Sequence, residues 1–580
     1  MSEPLPPDPA SNPAPSEPAS SDAGPSATAA DRPAPAAAGN TSSEAGQTLA
    51  LWLGFATAAT LFLTQSPLGF TRDEGVYFAA ASSYEEWLRL LLRAPLQALQ
   101  AAATERFWGV NWEHPPLAKL LFAASHLLFT RTLGWLPDAA AYRLPGALFG
   151  GLLTYWLAIF GATRSPRAAA LAPLLFWCTA RTFFHGHLAC FDIPIAALTA
   201  GVGVGWARAL GLLPGGGSER RGALWFGAVY GLALATKHNA WFLPPVLLVH
   251  ALFLPAPLRP RAFRALRALA LAPPVLFVLW PLLWHEPVRH LNDWISFHLH
   301  HVHYAWWYLG DLLRKPPFPV HYPLSLLALT LPVTTVALLA AAGARLLWAF
   351  ARRELFGKSI TPIGSLRLLE LALAGAGALP FLLTTTPVFG GIKHWLVLPA
   401  LLAPEAAALL VGWAKDAAAA LPKLGERRAF LAACCAALLP GVWQIWATFP
   451  YGTSAYGELA GGVPGAASLG MQRQYWSGNV TAVLPWLNQH APPGARVFFH
   501  EVNFESYRAY QQAGLLRRDV GYAPGAGDAD YAALQWHREF RDREPETWNA
   551  FRTQRPATGL FLDEVPQILV YARPGLPGAP

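Results

Sequence analysis

Charge is what this sequence has least of. Only 13% of its 580 residues are Asp, Glu, Lys or Arg, where an ordinary soluble domain has about a quarter. With 53% hydrophobic residues, this deficit excludes an ordinary soluble enzyme and points to a chain whose solvent is lipid. Cysteine is scarce as well. Cys178, Cys190, Cys434 and Cys435 lie in or beside apolar runs, and no pair has CxxC or CxxH spacing. That leaves no disulfide framework or zinc site to read, and the four are read as small buried apolar groups. Also missing is a basic cluster. The net charge is +8, but Lys and Arg are spread thinly between apolar runs, which excludes nucleic acid as a partner.

What is present divides into three parts. Residues 1–48 are Pro, Ala, Ser, Gly and acidic residues, too poor in large apolar side chains to offset the entropy of ordering, and read as a disordered cytoplasmic tail. No basic region abuts the first apolar run, so 49–65 reads as an uncleaved anchor rather than a signal peptide. Residues 49–450 hold about eleven apolar runs of spanning length: 49–65, 143–163, 168–185, 193–211, 222–237, 239–255, 268–284, 323–349, 366–386, 392–414 and 429–449. A shorter run, 117–129, follows Pro115-Pro116. If it lies along the interface, the loops bearing Arg164, Arg208, Arg220, Arg259 to Arg267, Arg345 and Lys415 to Arg428 all fall on the cytoplasmic side. The loops at 68–142 and 285–322, Asp192, the turn at 387–393 and the last 130 residues then share the outer face. Residues 451–580 are richer in charge, with β-type runs at 496–499 and 568–571 and a helix-like stretch at 480–490, and read as a small extramembrane α/β domain. They show no Gly-rich phosphate loop, nucleophile elbow or zinc pattern. The expected fold class is an all-α polytopic membrane protein with juxtamembrane helices in the first outer loop and this C-terminal appendage.

Ionisable residues at membrane depth are expensive and mark function. Three sets stand at the expected outer face: Thr71-Arg72-Asp73-Glu74-Gly75-Val76-Tyr77, Asn111-Trp112-Glu113-His114-Pro115-Pro116, and His185-Gly186-His187 with Phe191-Asp192-Ile193-Pro194. Each has a plain structural reading beside the chemical one. Asp73 can be a helix N-cap, the two prolines can open a helix, and Asp192 can cap the next. What speaks for chemistry is that all three sets converge on one face.

The DEGVY stretch, EHPPLAKLL, the Asp of CFDIP, ATKHNAWFLP and GGIKHWLVLP occur in that order. In motif order and topology, over about residues 49–450, the chain resembles the C-type membrane glycosyltransferases of family 39, which include protein O-mannosyltransferases and aminoarabinose transferases. The resemblance implies an inverting transfer of a sugar from a polyprenyl-phosphate donor to a hydroxyl or amine of a lipid, glycan or protein acceptor, on the periplasmic side of the inner membrane. It implies Asp73 as general base, with Asp192 and Glu74 as further catalytic carboxylates. Tyr77, His114, Arg143, Lys393 and His394 become candidate substrate-binding residues. Val76 departs from the aminoarabinose transferases, which have arginine there. No cofactor is required by this reading, although Glu113, His298 and His301 could together bind a divalent metal ion; an interfacial aromatic and polar belt is the alternative for the histidines. Two other functions compete. A transporter or flippase would use Asp, Lys and His as ion sites, but no internal repeat is visible. A non-catalytic factor in envelope polysaccharide assembly would not need the carboxylates. The stretch FPYGTSAYGELAGGVPGA followed by YWSGN and LPWLN has no role readable from its residues.

Overall fold

Residues 37–213, 218–356 and 360–579 are described by a computed structural model. Most of the expected tail lies outside the described residues, but the first helix begins well before residue 49, spanning Ala37–Leu63. Its described glycine face explains how it docks. A Cβ on Gly54 would stand 2.8 Å from the Gly151 carbonyl oxygen, and one on Gly151 2.5 Å from that of Gly54. Two small residues thus let this helix and Asp138–Ala162 touch backbone to backbone, the packing mode that membranes favour.

Among the described residues, seven helices are long and apolar enough to cross a membrane: Gly46–Leu63, Asp138–Ala162, Arg259–Leu279, Val333–Ala351, Pro362–Leu382, Val397–Ala420 and Glu426–Thr448. The other expected runs are helical but shorter or broken. Residues 168–185 form Pro166–Trp177 and Ala180–Gly186. Asp192–Ala209 and Glu219–Leu234 cover two more runs, and 239–255 begins as a 3₁₀ turn, His238–Phe242, before Leu243–Phe253. The run at 323–349 is interrupted where Pro332 cannot donate to the preceding turn, giving Tyr322–Thr330 and Val333–Ala351. The short run after Pro116 is a ten-residue helix, Leu117–His126, ending in a π-helical turn.

The loops expected on the cytoplasmic side do share one end of the bundle. Arg164 forks onto Glu370 with two contacts of 2.7 Å, Arg345 and Arg367 reach Glu405, Arg167 pairs with Glu426, and Arg261 pairs with Glu219. Arg164 follows a 25-residue helix whose first turns carry Arg143, and Arg143 pairs with Glu74. At about 1.5 Å per residue, that separates the two ends by roughly 30 Å.

At the Glu74 end, β1 (Trp306–Tyr308) and β2 (Asp311–Leu313) form a hairpin. Beyond the last long helix lie β3 (Arg496–Phe499), β4 (Gly521–Tyr522), β5 (Tyr531–Gln535), β6 (Thr558–Leu562) and β7 (Val565–Ala572), in the order β4-β3-β5-β7-β6. β3 runs parallel to β4 and β5, and β7 antiparallel to β5 and β6. The expected β-type runs fall in β3 and β7. β5 is buried along its whole length, so it lacks the polar alternation by which a strand is read from sequence. Chain contacts join the sheet region and the helices into one compact unit, Ser43–Pro580.

Candidate active site

The site is built on the first turn of Arg72–Arg93. Thr71, not Asp73, is the N-cap: its side chain accepts from the Glu74 amide while Glu74 reaches back to the Thr71 amide, a capping box. This fixes which way the two adjacent carboxylates point. Glu74 is fully buried, its oxygens bound by Arg143 at 2.7 and 2.8 Å and by the Ala189 amide at 3.0 Å. Arg143 gives its remaining donors to the carbonyls of Gln65, Leu68 and Gly69. The expected catalytic role of Glu74 and the substrate-binding role of Arg143 therefore find no free atoms. The two hold the loop, and neither lines the cavity described next.

That cavity has a volume of about 630 Å³ and is lined by Asp73, Tyr77, Glu113, His114, Asp192, Lys237, Lys393 and His394 among others. The three sequence sets do come together there. Asp73 is a quarter exposed and accepts from Lys393 Nζ at 3.2 Å. Lys393 stands in a 3₁₀ turn reached through Gly390 and Gly391, both left-handed with φ +70° and +62°, a conformation glycine adopts without a Cβ clash. Burial works against the Lys393 charge, but Asp73 and Asp192 outweigh it and hold the ammonium above its ordinary range. The ammonium also lies over the Trp476 ring at 4.4 Å and the Phe389 ring at 5.3 Å.

Asp192 is the first residue of its helix and forms a second buried pair, with Lys237 at 2.7 Å. Lys237 sits in the ATKHN motif, which drew notice in the sequence without yielding a site residue. A lysine three residues past the end of Glu219–Leu234 has no local pattern that announces its partner 45 positions away. Tyr77 packs its ring on Phe191 at 4.1 Å, with His114 edge-on at 6.0 Å. Burial pushes His114 well below the usual histidine range, and its Nδ1 has no partner; the same holds for Nε2 of His394. Burial thus favours the neutral form of both rings, which has one donor and one acceptor nitrogen.

The expected metal site does not assemble. His298 donates to the Glu113 carbonyl at 2.9 Å and packs on the His238 ring at 3.9 Å. His301 donates to the Val302 carbonyl and stacks on Phe389 at 5.3 Å. The Glu113 carboxylate accepts from Asn111. All three line the cavity, but their ligand atoms do not converge. Among the described residues the one His/Asp/Glu triplet close enough to share an ion is Glu105, Glu286 and His290, where Arg289 already binds both carboxylates.

Another wall of the cavity comes from the C-terminal region, through Gln472, Tyr475, Trp476, Ser477, Glu501, His537, Glu539 and Phe540. Tyr475, Trp476 and Ser477 belong to the YWSGN stretch whose role the residues alone left open. Trp476, Ser477 and Glu501 are left-handed, with φ +70°, +57° and +63°. Non-glycine residues held there cost about 1–3 kcal/mol each and concentrate at functional sites. The region also grips the Asp73 loop. The Trp476 carbonyl accepts from the Arg72 amide at 2.9 Å, Ser506 donates to the Thr71 carbonyl, Asn503 donates to the Arg72 carbonyl, and Arg72 pairs with Glu501 at 3.1 Å.

No family model matches the chain, and no curated protein matches its sequence. Solved structures similar to it include ArnT from Cupriavidus metallidurans bound to undecaprenyl phosphate (16% identity, TM-score 0.46) and the same protein in the apo state (16%, 0.48), each match covering 90% of this chain and 97% of that one. The Archaeoglobus fulgidus oligosaccharyltransferase in its apo form is similar at 11% identity and a TM-score of 0.44, over 83% of this chain and 70% of that one.

Proposed function

We propose that this chain is a membrane glycosyltransferase that moves a sugar from a polyprenyl-phosphate donor to an acceptor hydroxyl or amine, at the periplasmic face of the inner membrane and with inversion. The observation that carries the reading is the Asp73–Lys393 contact of 3.2 Å inside a 630 Å³ cavity at one end of a bundle of membrane-length helices. A carboxylate and an ammonium side by side in a space large enough for a sugar and its acceptor support reading Asp73 as the base and Lys393 as the partner of the phosphate.

In the absence of donor, Lys393 occupies one oxygen of the Asp73 carboxylate at 3.2 Å. A donor phosphate competes for that ammonium. As Lys393 turns to the phosphate, the Asp73 carboxylate is released to accept the acceptor's proton. The acceptor oxygen or nitrogen then bonds to the anomeric carbon from the face opposite the phosphate. The anomeric C–O bond breaks, its electron pair stays on the phosphate, and the leaving monoester gains negative charge where Lys393 meets it. The Lys237–Asp192 pair supports the same end of the cavity, and neutral His114 and His394 offer single hydrogen bonds to sugar hydroxyls. Binding donor and loosening the base are thus one event.

Deleting the gene and comparing envelope lipids, glycans and glycoproteins by mass spectrometry names the product. Wild type should restore it, and Asp73→Asn, which keeps the shape and loses the basicity, should restore about 10²- to 10⁴-fold less at equal protein level. Full restoration by Asp73→Asn removes Asp73 from the mechanism.

A further inference from the structure

The cavity has a second polar wall that the transfer step does not use. Glu539 lies there, 6% exposed, on a 3₁₀ turn following β5. One carboxylate oxygen, Oε1, takes the Gln472 amide and lies 3.1 Å from His537 Nδ1. The other, Oε2, has no hydrogen-bond partner. Among the described residues no arginine or lysine pairs with this carboxylate; His537 is its one charged or chargeable neighbour within salt-bridge range. A buried carboxylate oxygen without a donor is a costly thing to keep in a folded protein. The Gln472 side chain is itself engaged at its oxygen, which accepts from the Trp307 amide at 3.2 Å. Phe540, half-buried beside His537, supplies an aromatic ring on the same cavity.

We infer that Gln472, His537, Glu539 and Phe540 form a sugar-binding subsite in the same cavity as Asp73 and Lys393, in which Glu539 Oε2 accepts from a hydroxyl or amine of a carbohydrate and Phe540 packs against its apolar face. Carboxylate, amide and aromatic ring are the groups that a polyol with one apolar face requires. Resting on the proposed transfer, the subsite selects a glycan or glycolipid acceptor. It does no chemistry and makes or breaks no covalent bond.

The full-length protein in lipid nanodiscs tests this. Methyl glucoside and methyl glucosaminide serve as probes, read by saturation-transfer NMR, and undecaprenyl phosphate is read separately by native mass spectrometry. Wild type should bind at least one sugar, and Glu539→Gln should weaken it about tenfold or more, as expected for loss of a charged acceptor. Phe540→Ala should weaken it too, and gives a second reading should Glu539→Gln unfold. A preference for the glucosaminide assigns the amine as the group recognised, and equal binding assigns a hydroxyl. Absence of sugar binding in wild type, or unchanged binding in both variants, overturns the subsite. Failure of wild type to bind undecaprenyl phosphate tells instead against the proposed transfer and leaves the sugar result to be read by itself.

Discussion

Asp73 and Glu74 are neighbours in sequence with opposite fates, and the capping box decides between them. Thr71 at the N-cap draws residue 74 back over the helix end, which places Glu74 against Arg143 in a fully buried pair. Asp73 then falls on the open side, toward Lys393. Substitutions should separate the two. Asp73→Asn removes a partly exposed carboxylate, the proposed base, and should lower transfer while thermal unfolding stays within a few degrees of wild type. Glu74→Gln leaves the buried Arg143 guanidinium short of its counter-charge, and breaking such a pair costs about 3–5 kcal/mol. That variant should unfold at lower temperature and denaturant than Asp73→Asn whatever its residual activity. A Glu74→Gln protein as stable as wild type, with transfer abolished, would restore Glu74 to the chemistry.

At the scale of elements, Gly75 in the DEGVY stretch shows what sequence could and could not convey. A Cβ there would lie 2.3 Å from Ser506 Oγ and 2.6 Å from the Ser506 amide, because the first turn of Phe504–Gln512 is pressed directly on the start of Arg72–Arg93. Gly75→Ala must push the two helices apart. It should cost about 1–3 kcal/mol and lower transfer by misplacing Asp73 two residues away, both measurable on the purified protein. The contact joins residues over 400 positions apart, so no local pattern announces it. Long apolar runs were legible because hydropathy over a span sums many residues, and Asp138–Ala162, Val397–Ala420 and Glu426–Thr448 lie close to where it places them. Breaks inside runs were not, since the 3₁₀ turns at His238–Phe242 and Lys393–Trp395 keep their apolar composition while changing backbone path. The site was half legible. Asp73, Asp192, Lys393 and His114 stand beside long apolar runs of the sequence, where a charge or imidazole is conspicuous. Gln472, His537 and Glu539 sit in a polar region where such residues are ordinary, and only the fold brings them to the cavity.

For the molecule as a whole, sidedness and the role of the C-terminal region are linked, since the sheet region shares one cavity with Asp73. The loops bearing Arg164, Arg167, Arg261 and Arg345 gather at the other end, which the positive-inside rule assigns to the cytoplasm. Alkaline phosphatase joined after residue 460 should therefore be active and joined after residue 220 inactive, and the reverse pattern would place the cavity in the cytoplasm. The sheet region is also bound to the Asp73 loop by hydroxyls that a small change can remove. Tyr510 Oη accepts from the Phe70 amide at 2.8 Å and donates to the Phe70 carbonyl at 3.0 Å, and Ser506 donates to the Thr71 carbonyl at 3.0 Å. Hydrogen bonds of this kind contribute about 0.5–1.5 kcal/mol each, too little for their loss to detach a region that also packs Tyr510 on Phe70 at 4.9 Å. They are enough to let the loop shift by the fraction of an ångström that matters at a reacting centre. The double variant Tyr510→Phe with Ser506→Ala should stay folded and keep undecaprenyl phosphate affinity within about twofold, because Lys393 and Lys237 are untouched, while turnover falls several-fold or more as Asp73 loses its fixed position. Wild-type turnover in that variant would mean that the sheet region merely covers the cavity, and that the bundle alone holds Asp73 in place.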